Sequence, residues 1–207
     1  MQYSKAKEIV GSDLGNPSKM PGRSLGISAY ACKVGRKLAT IKGSVCEKCY
    51  ATRGNYTFPV AKNAHARRME GISHPLWIEA MVTLLEYHAE NYFRWHDSGD
   101  IQSLGHLEKI SQIAKLLPDV HFWLPTKEKG TVQKYLRKHR RFPKNLVVRY
   151  SAPMRGEVAK RFSAAVSYSS VSSGKGYACP AKTQEGRCGP CRACWKKDVK
   201  NIDYTYH

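Results

Sequence analysis

From about residue 74 onward, apolar and polar positions alternate between helical and strand periodicities. In HPLWIEAMVTLLEYHAEN, Trp77, Met81, Leu84, Leu85 and His88 fall on one face, which predicts a helix over 74–91 with Ser73 as its cap and Pro75 in its first turn. YFRWHDSGD reads as a strand running into a Ser-Gly-Asp turn. A second helix is expected from Ser103, with Leu104, Leu107, Ile110, Ala114 and Leu117 at helical spacing. Strand and turn follow in VHFWLPTKEKG, a basic helix over 131–140, a strand in NLVVRYSAP, a short helix over 154–162 and a strand in AAVSYSSV.

Helices alternating with short apolar strands predict an α/β fold with parallel neighbours. A full eight-fold barrel needs about 200 residues or more, so the expected architecture in 207 residues is a partial or shortened (β/α) barrel. The N-terminal stretch, dense in Gly, Pro and Ser, reads as loops. Two units are expected: residues 1–172 as the barrel-like domain, and 173–207 as a Cys-rich extension packed on it.

Ligands bind at the carboxyl ends of strands in such folds. The predicted strand ends carry Ser98 and Asp100, Thr126 and Lys127, Arg149 and Ser151, and Ser167 and Ser169.

Composition adds two facts. Lys and Arg number 35 against 16 acidic residues, a formal charge of +19 that favours contact with polyanions, nucleic acid first. The densest run, KYLRKHRR, offers Arg137, Lys138, Arg140 and Arg141 to phosphates, with Tyr135 or Phe142 beside them for stacking. No segment has the roughly 18 consecutive apolar residues of a membrane span, and MQYSKAKEIVGSD lacks the apolar stretch of a signal peptide. The expected location is a cytoplasm, the host's if the protein is viral.

In a reducing compartment, seven cysteines in two tight groups read as metal or cluster ligands. Cys179, Cys188, Cys191 and Cys194 are spaced C-x8-C-x2-C-x2-C, enough thiolates to wrap a zinc ion or an iron-sulfur cubane. Cys32, Cys46 and Cys49 are only three. A [4Fe-4S] cluster on three thiolates leaves one iron free for an outside ligand; a zinc ion completed by a histidine such as His65 is the alternative.

Cys46 and Cys49 followed by Tyr50-Ala51, then SGD after one strand and FWLPTKEK after the next, resemble a bacteriophage protein family that is similar to radical S-adenosylmethionine (SAM) enzymes. The resemblance covers roughly residues 20–155. It implies that Cys32, Cys46 and Cys49 hold a cluster, and that Ser98, Gly99 and Asp100 stand where those enzymes meet the SAM amino group. Tyr50, Thr126, Lys127, Arg149 and Ser151 complete the implied cofactor site, with Asp100 facing the ligand's ammonium and Arg149 its carboxylate. The sequence departs from the enzymes' pattern in its thirteen-residue first gap, in placing Tyr50 after the third cysteine, and in having no glycine-rich SAM motif. The C-terminal cysteines resemble auxiliary-cluster extensions.

Three functions follow from these features. One is an enzyme that generates a radical to modify a nucleic acid or nucleotide, supplied with electrons by a flavodoxin or ferredoxin. The second is a non-catalytic iron-sulfur or zinc protein that binds nucleic acid through its basic surface. The third is a redox or electron-transfer protein.

Overall fold

A computed structural model describes residues 1–206. Seven strands form one sheet: β1 (Arg23–Leu25), β2 (Tyr92–Trp95), β3 (His121–Thr126), β4 (Leu146–Ser151), β5 (Ser167–Val171), β6 (Tyr177–Ala178) and β7 (Asn201–Tyr204). Their order is β1-β2-β3-β4-β5-β7-β6, and every pairing is parallel. The expected α/β class with parallel neighbours is therefore present. Within the expected Cys-rich extension, Tyr177–Ala178 and Asn201–Tyr204 form β6 and β7 of the same sheet.

Six α-helices accompany the sheet: α1 (Tyr3–Val10), α2 (Lys33–Leu38), α3 (Pro59–Gly71), α4 (Trp77–Tyr87), α5 (Leu104–Leu116) and α6 (Lys129–His139). Strand alternation decides what each face of the sheet meets. Phe93, Trp95, Phe122, Leu124, Leu146 and Val148 point to one face and share a core with Trp77, Met81 and Leu84 of α4 and Leu107 and Ile110 of α5. Arg94, Trp123 and Arg149, one residue out of phase, point to the other. There the C-terminal segment lies against the sheet: Trp195 meets the ring of Trp123 at 5.3 Å and that of Tyr92 at 5.5 Å, and its indole N–H donates to the Phe93 carbonyl.

α5 starts as expected. The Ser103 hydroxyl accepts from the His106 N–H at 3.0 Å, satisfying one of the amides that a helix start leaves open. Ser103→Ala is expected to cost about 1 kcal/mol, read as a shift in the urea midpoint.

Three local expectations are corrected. The helix predicted from residue 74 begins only at Trp77, because the preceding amides close tight turns, Ser73 onto Glu70 and His74 onto Gly71. Residues 154–162 form no helix: the Arg155 amide donates to Gly43 and the Gly156 amide to Val171, which ties the segment to its neighbours instead of to itself. The N-terminal region read as loops contains β1, α1, α2 and α3. α1 buries Ala6, Ile9 and Val10, whereas α3 buries His65, Arg68 and Gly71, so polar residues fill positions where apolar periodicity would be sought.

No helix among the described residues is long and apolar enough to cross a membrane.

Candidate functional site

The carboxyl ends of the parallel strands surround a cavity of about 460 Å³, a volume suited to a small organic ligand. Each connection contributes to its wall. The loop after β1 brings Cys32, Cys46 and Cys49; the turn after β2 brings Ser98, Gly99 and Asp100; β3 ends in Thr126 and Lys127; β4 ends in Ser151. Tyr50 also lines it. Thus every cofactor residue read from the sequence reaches this cavity except Arg149.

The three cysteines lie in the long β1–β2 connection, braced by short turns at Ala29–Ala31, Tyr50–Thr52 and Gly54–Thr57. Gly35 on α2 faces two of the sulfurs. A side-chain carbon there would stand 3.6 Å from Cys32 Sγ and 3.7 Å from Cys46 Sγ, so the glycine keeps open the space beside both. Burial pushes the Cys32 thiol up to about 12, with Asp100, Cys49 and Cys46 adding to the rise, and burial also raises Cys46. Buried thiols crowded by one another become thiolates readily only beside a cation.

This donor set fits an iron-sulfur cluster: three soft ligands, gathered on one cavity, beside a cradle that a larger residue would fill. Among the described residues, no three His, Cys, Asp or Glu side chains are close enough to grip a single ion. A tetrahedral zinc with bonds of about 2.3 Å would need its sulfurs about 3.8 Å apart. His65, the alternative fourth ligand, stacks on Tyr56 at 5.9 Å and does not line the cavity.

Asp100 organises the floor. Its Oδ1 accepts from the Ile101 N–H at 2.7 Å and the Thr126 hydroxyl at 2.6 Å, and its Oδ2 from the Lys127 N–H at 2.8 Å. Three of about four acceptor directions are therefore used, leaving one on Oδ2. Burial lifts this carboxyl to about 6 against those three stabilising bonds. Gly99 has φ +83°, and a side chain there would meet the Ile27 carbonyl oxygen at 2.9 Å, so the turn that presents Ser98 and Asp100 requires glycine. Ser98 Oγ is buried without a partner. The Lys127 ammonium donates to the Ala152 carbonyl at 3.0 Å, and Ser151 Oγ accepts from Ser169 Oγ at 3.1 Å.

Arg149 is placed differently from its expected role. It is fully buried on the sheet face opposite the helices, and its guanidinium donates to the carbonyls of Tyr168, Val199, Ala193 and Lys196. With those donors committed, it anchors the Cys-rich segment and is not available to a ligand's carboxylate.

The four C-terminal cysteines gather beside that anchor. Cys194 Sγ lies 3.2 Å from the Tyr204 hydroxyl, Cys191 Sγ lies 3.5 Å from the Tyr177 hydroxyl, and burial raises both Cys188 and Cys194, the latter to about 11. Tyr204, whose hydroxyl meets Cys194, also lines the cavity that the three N-terminal cysteines line.

The basic run lies at the C-terminal end of α6 and just after it, outside the cavity lining. α6 leaves the cavity at Lys129 and extends 11 residues, about 16 Å, to His139. Arg137, Lys138, Arg140 and Arg141 are exposed there, with Lys138 paired to Glu108 at 3.0 Å. Tyr135 and Phe142, expected to stack on bases, are instead buried and stack on each other at 4.6 Å.

Sequence reasoning missed Arg94, Trp123 and Asp97 in the cavity wall. Arg94 lies over the Trp123 ring at 4.6 Å and donates to the Tyr50 hydroxyl at 3.2 Å; Asp97 accepts from the Tyr56 hydroxyl at 3.1 Å and has its other oxygen buried without a partner. The available signal was strand alternation in YFRWHD, which sets Arg94 opposite Phe93 and Trp95.

No curated protein and no solved structure matches the sequence. Residues 4–197 match the family model described as Gene product 88, a span that includes both cysteine groups, and the chain belongs to that phage-like family.

Proposed function

We propose that the protein is an iron-sulfur enzyme of the radical SAM type on a partial (β/α) barrel, with Cys32, Cys46 and Cys49 as the cluster ligands. The observation that supports this reading is the placement of all three cysteines of the β1–β2 connection on one cavity at the strand ends, with the Ser98-Gly99-Asp100 turn of the next connection on its floor. The succession of β1 to β5 side by side, with α4, α5 and α6 linked in the same order, supports the barrel-like comparison.

When bound, a [4Fe-4S] cluster on three thiolates supplies an open iron and a transferable electron to a ligand chelated there. The chain's own residues set the ligand's pose. Ser98 Oγ and the remaining Asp100 acceptor face a ligand ammonium, in a buried setting where an unpaired ion is costly. Lys127 takes the carboxylate role first assigned to Arg149, since its ammonium is at the cavity wall. Trp123, with Arg94 packed over it, and Tyr50 close the outer side and limit water.

Cys179, Cys188, Cys191 and Cys194 form the second metal centre in this reading. Protein prepared without oxygen is expected to contain iron and acid-labile sulfide and to absorb broadly in the visible. Colourless protein containing zinc alone would overturn the proposal.

A further inference from the structure

The loop that carries the three cysteines also carries an open surface of one charge. Lys33, Arg36, Lys37, Lys42, Lys48 and Arg53 are exposed, and none is in an ion pair with a described residue. The sole acidic residue between 30 and 58, Glu47, is engaged by Arg155.

Among these cations stand three large rings, Tyr30 (54% exposed), Tyr50 (57%) and Phe58 (59%). They ride on or directly after three short turns, of which the second packs against both the first and the third. Tyr50 is fixed: its hydroxyl donates to the Asp97 carbonyl and accepts from Arg94, while its ring remains open to solvent. Arg36 lies over the Tyr30 ring at 5.6 Å. Ala29, Gly35, Lys48 and Tyr50 belong to the cavity wall, so this surface adjoins its mouth.

Cations interleaved with exposed aromatic rings suit single-stranded nucleic acid, whose phosphates seek the first and whose unpaired bases stack on the second. Duplex DNA would leave the rings unused, because its bases are already stacked. We propose that residues 30–58 form a single-strand binding surface that delivers a nucleotide to the mouth of the cavity. The substrate would then be single-stranded DNA or RNA, which names the substrate class of the reaction proposed above and rests on that reading. The 137–141 cations line no part of the cavity and stand about 12 Å or more along α6 from its first residue, beyond the Debye length of about 8 Å at physiological salt, and do not serve this site.

The test is fluorescence-anisotropy titration of the full-length protein with labelled single strands of about 12 nucleotides, a length within known site sizes. It is repeated over a range of salt concentrations, with iron and sulfide measured on the same preparation. Tyr30→Ala and Phe58→Ala are each expected to weaken binding on the order of tenfold, whereas Tyr30→Phe and Phe58→Tyr keep it. Arg36→Ala with Lys37→Ala should flatten the slope of log affinity against log salt by about 1.4, from about 0.7 per lost phosphate contact. Changing Arg137, Arg140 and Arg141 to Ala should leave affinity and slope within error.

Loss confined to the 137–141 variant would overturn the proposal, as would tighter binding to duplex than to single strands. So would an absence of nucleic-acid binding together with capture of an acidic flavodoxin through the same loop. Binding needs no cluster, so a strand bound by iron-free protein supports this surface even if the cluster assignment fails.

Discussion

Cys46→Ser is expected to remove the cavity centre and spare the other, lowering iron and sulfide to about half if each centre is a [4Fe-4S] cluster. The cause is local. Cys32 and Cys46 face the space kept open by Gly35, and a serine oxygen there is a poor substitute for a soft thiolate. Cys191→Ser should produce the reciprocal loss, because its sulfur belongs to the separate C-terminal group beside Tyr177 and Tyr204. Iron and sulfide analysis of both variants decides the point: loss of all iron in either one would contradict two independent sites.

The second large effect concerns pH. His96 and His106 are buried between the sheet and helices α4 and α5, with ring centroids 5.3 Å apart. Both His96 nitrogens and Nε2 of His106 lack partners, and the indole N–H groups of Trp77 and Trp95 nearby are also unpaired. Burial holds His106 down at about 3 and His96 well below its ordinary value, with His96 also opposed by His106 and Arg94, and His106 by Lys109.

A histidine whose folded-state pKa is depressed contributes stability that is present above about 6.5 and lost as pH falls toward the folded value. His106 loses about 1.4 kcal/mol per pH unit in that window, about 2 kcal/mol between pH 7 and pH 5, and His96 loses stability in the same direction. Asp100 acts in the opposite direction. Its folded pKa is raised to about 6, so its burial is least costly when protonated, and acidification over the same range returns about 1 kcal/mol.

The expected net change is a fall in stability, because the loss at His106 alone exceeds the return at Asp100 and His96 adds to it, against the roughly 5–15 kcal/mol that holds a typical domain together. Urea titrations at pH 7 and pH 5, with iron content checked at each, should show it. His106→Leu should remove about 2 kcal/mol of the pH dependence, one histidine's share. Equal stability at the two pH values would contradict the burial of neutral imidazoles.

Which of these features the sequence displayed depended on whether the signal was local. Strands β2 to β5 were legible as short runs rich in aromatic and β-branched residues alternating with helical segments, and α5 because its cap and its apolar spacing agreed. The cysteine groups and the Ser-Gly-Asp turn were legible for the same reason, as spacing along the chain.

β1 was not, since Arg23–Leu25 is three residues long and acquires its identity only by pairing with β2. α3 was hidden because Arg68 and His65 do the packing that apolar residues do elsewhere, with Arg68 donating to the backbone of Gly26 and Asp13. Arg149 shows the limit most clearly. Its place at a strand end pointed to a ligand, but the carbonyls it serves come from a segment some 45 residues later that folds back over the sheet. The charge of the 134–141 run was equally visible, whereas its distance from the strand ends was a property of the helix that carries it.

The central claim is that the three-cysteine centre keeps a coordination position open toward a ligand held by Ser98, Asp100 and Lys127. The most direct measurement adds SAM to the reduced, cluster-loaded protein and follows the electron paramagnetic resonance spectrum, with product analysis for 5′-deoxyadenosine. The account predicts a shifted cluster signal in the native protein and in Cys191→Ser, its loss in Cys46→Ser, and 5′-deoxyadenosine among the products. An unshifted spectrum from an intact cluster in the native protein would contradict it.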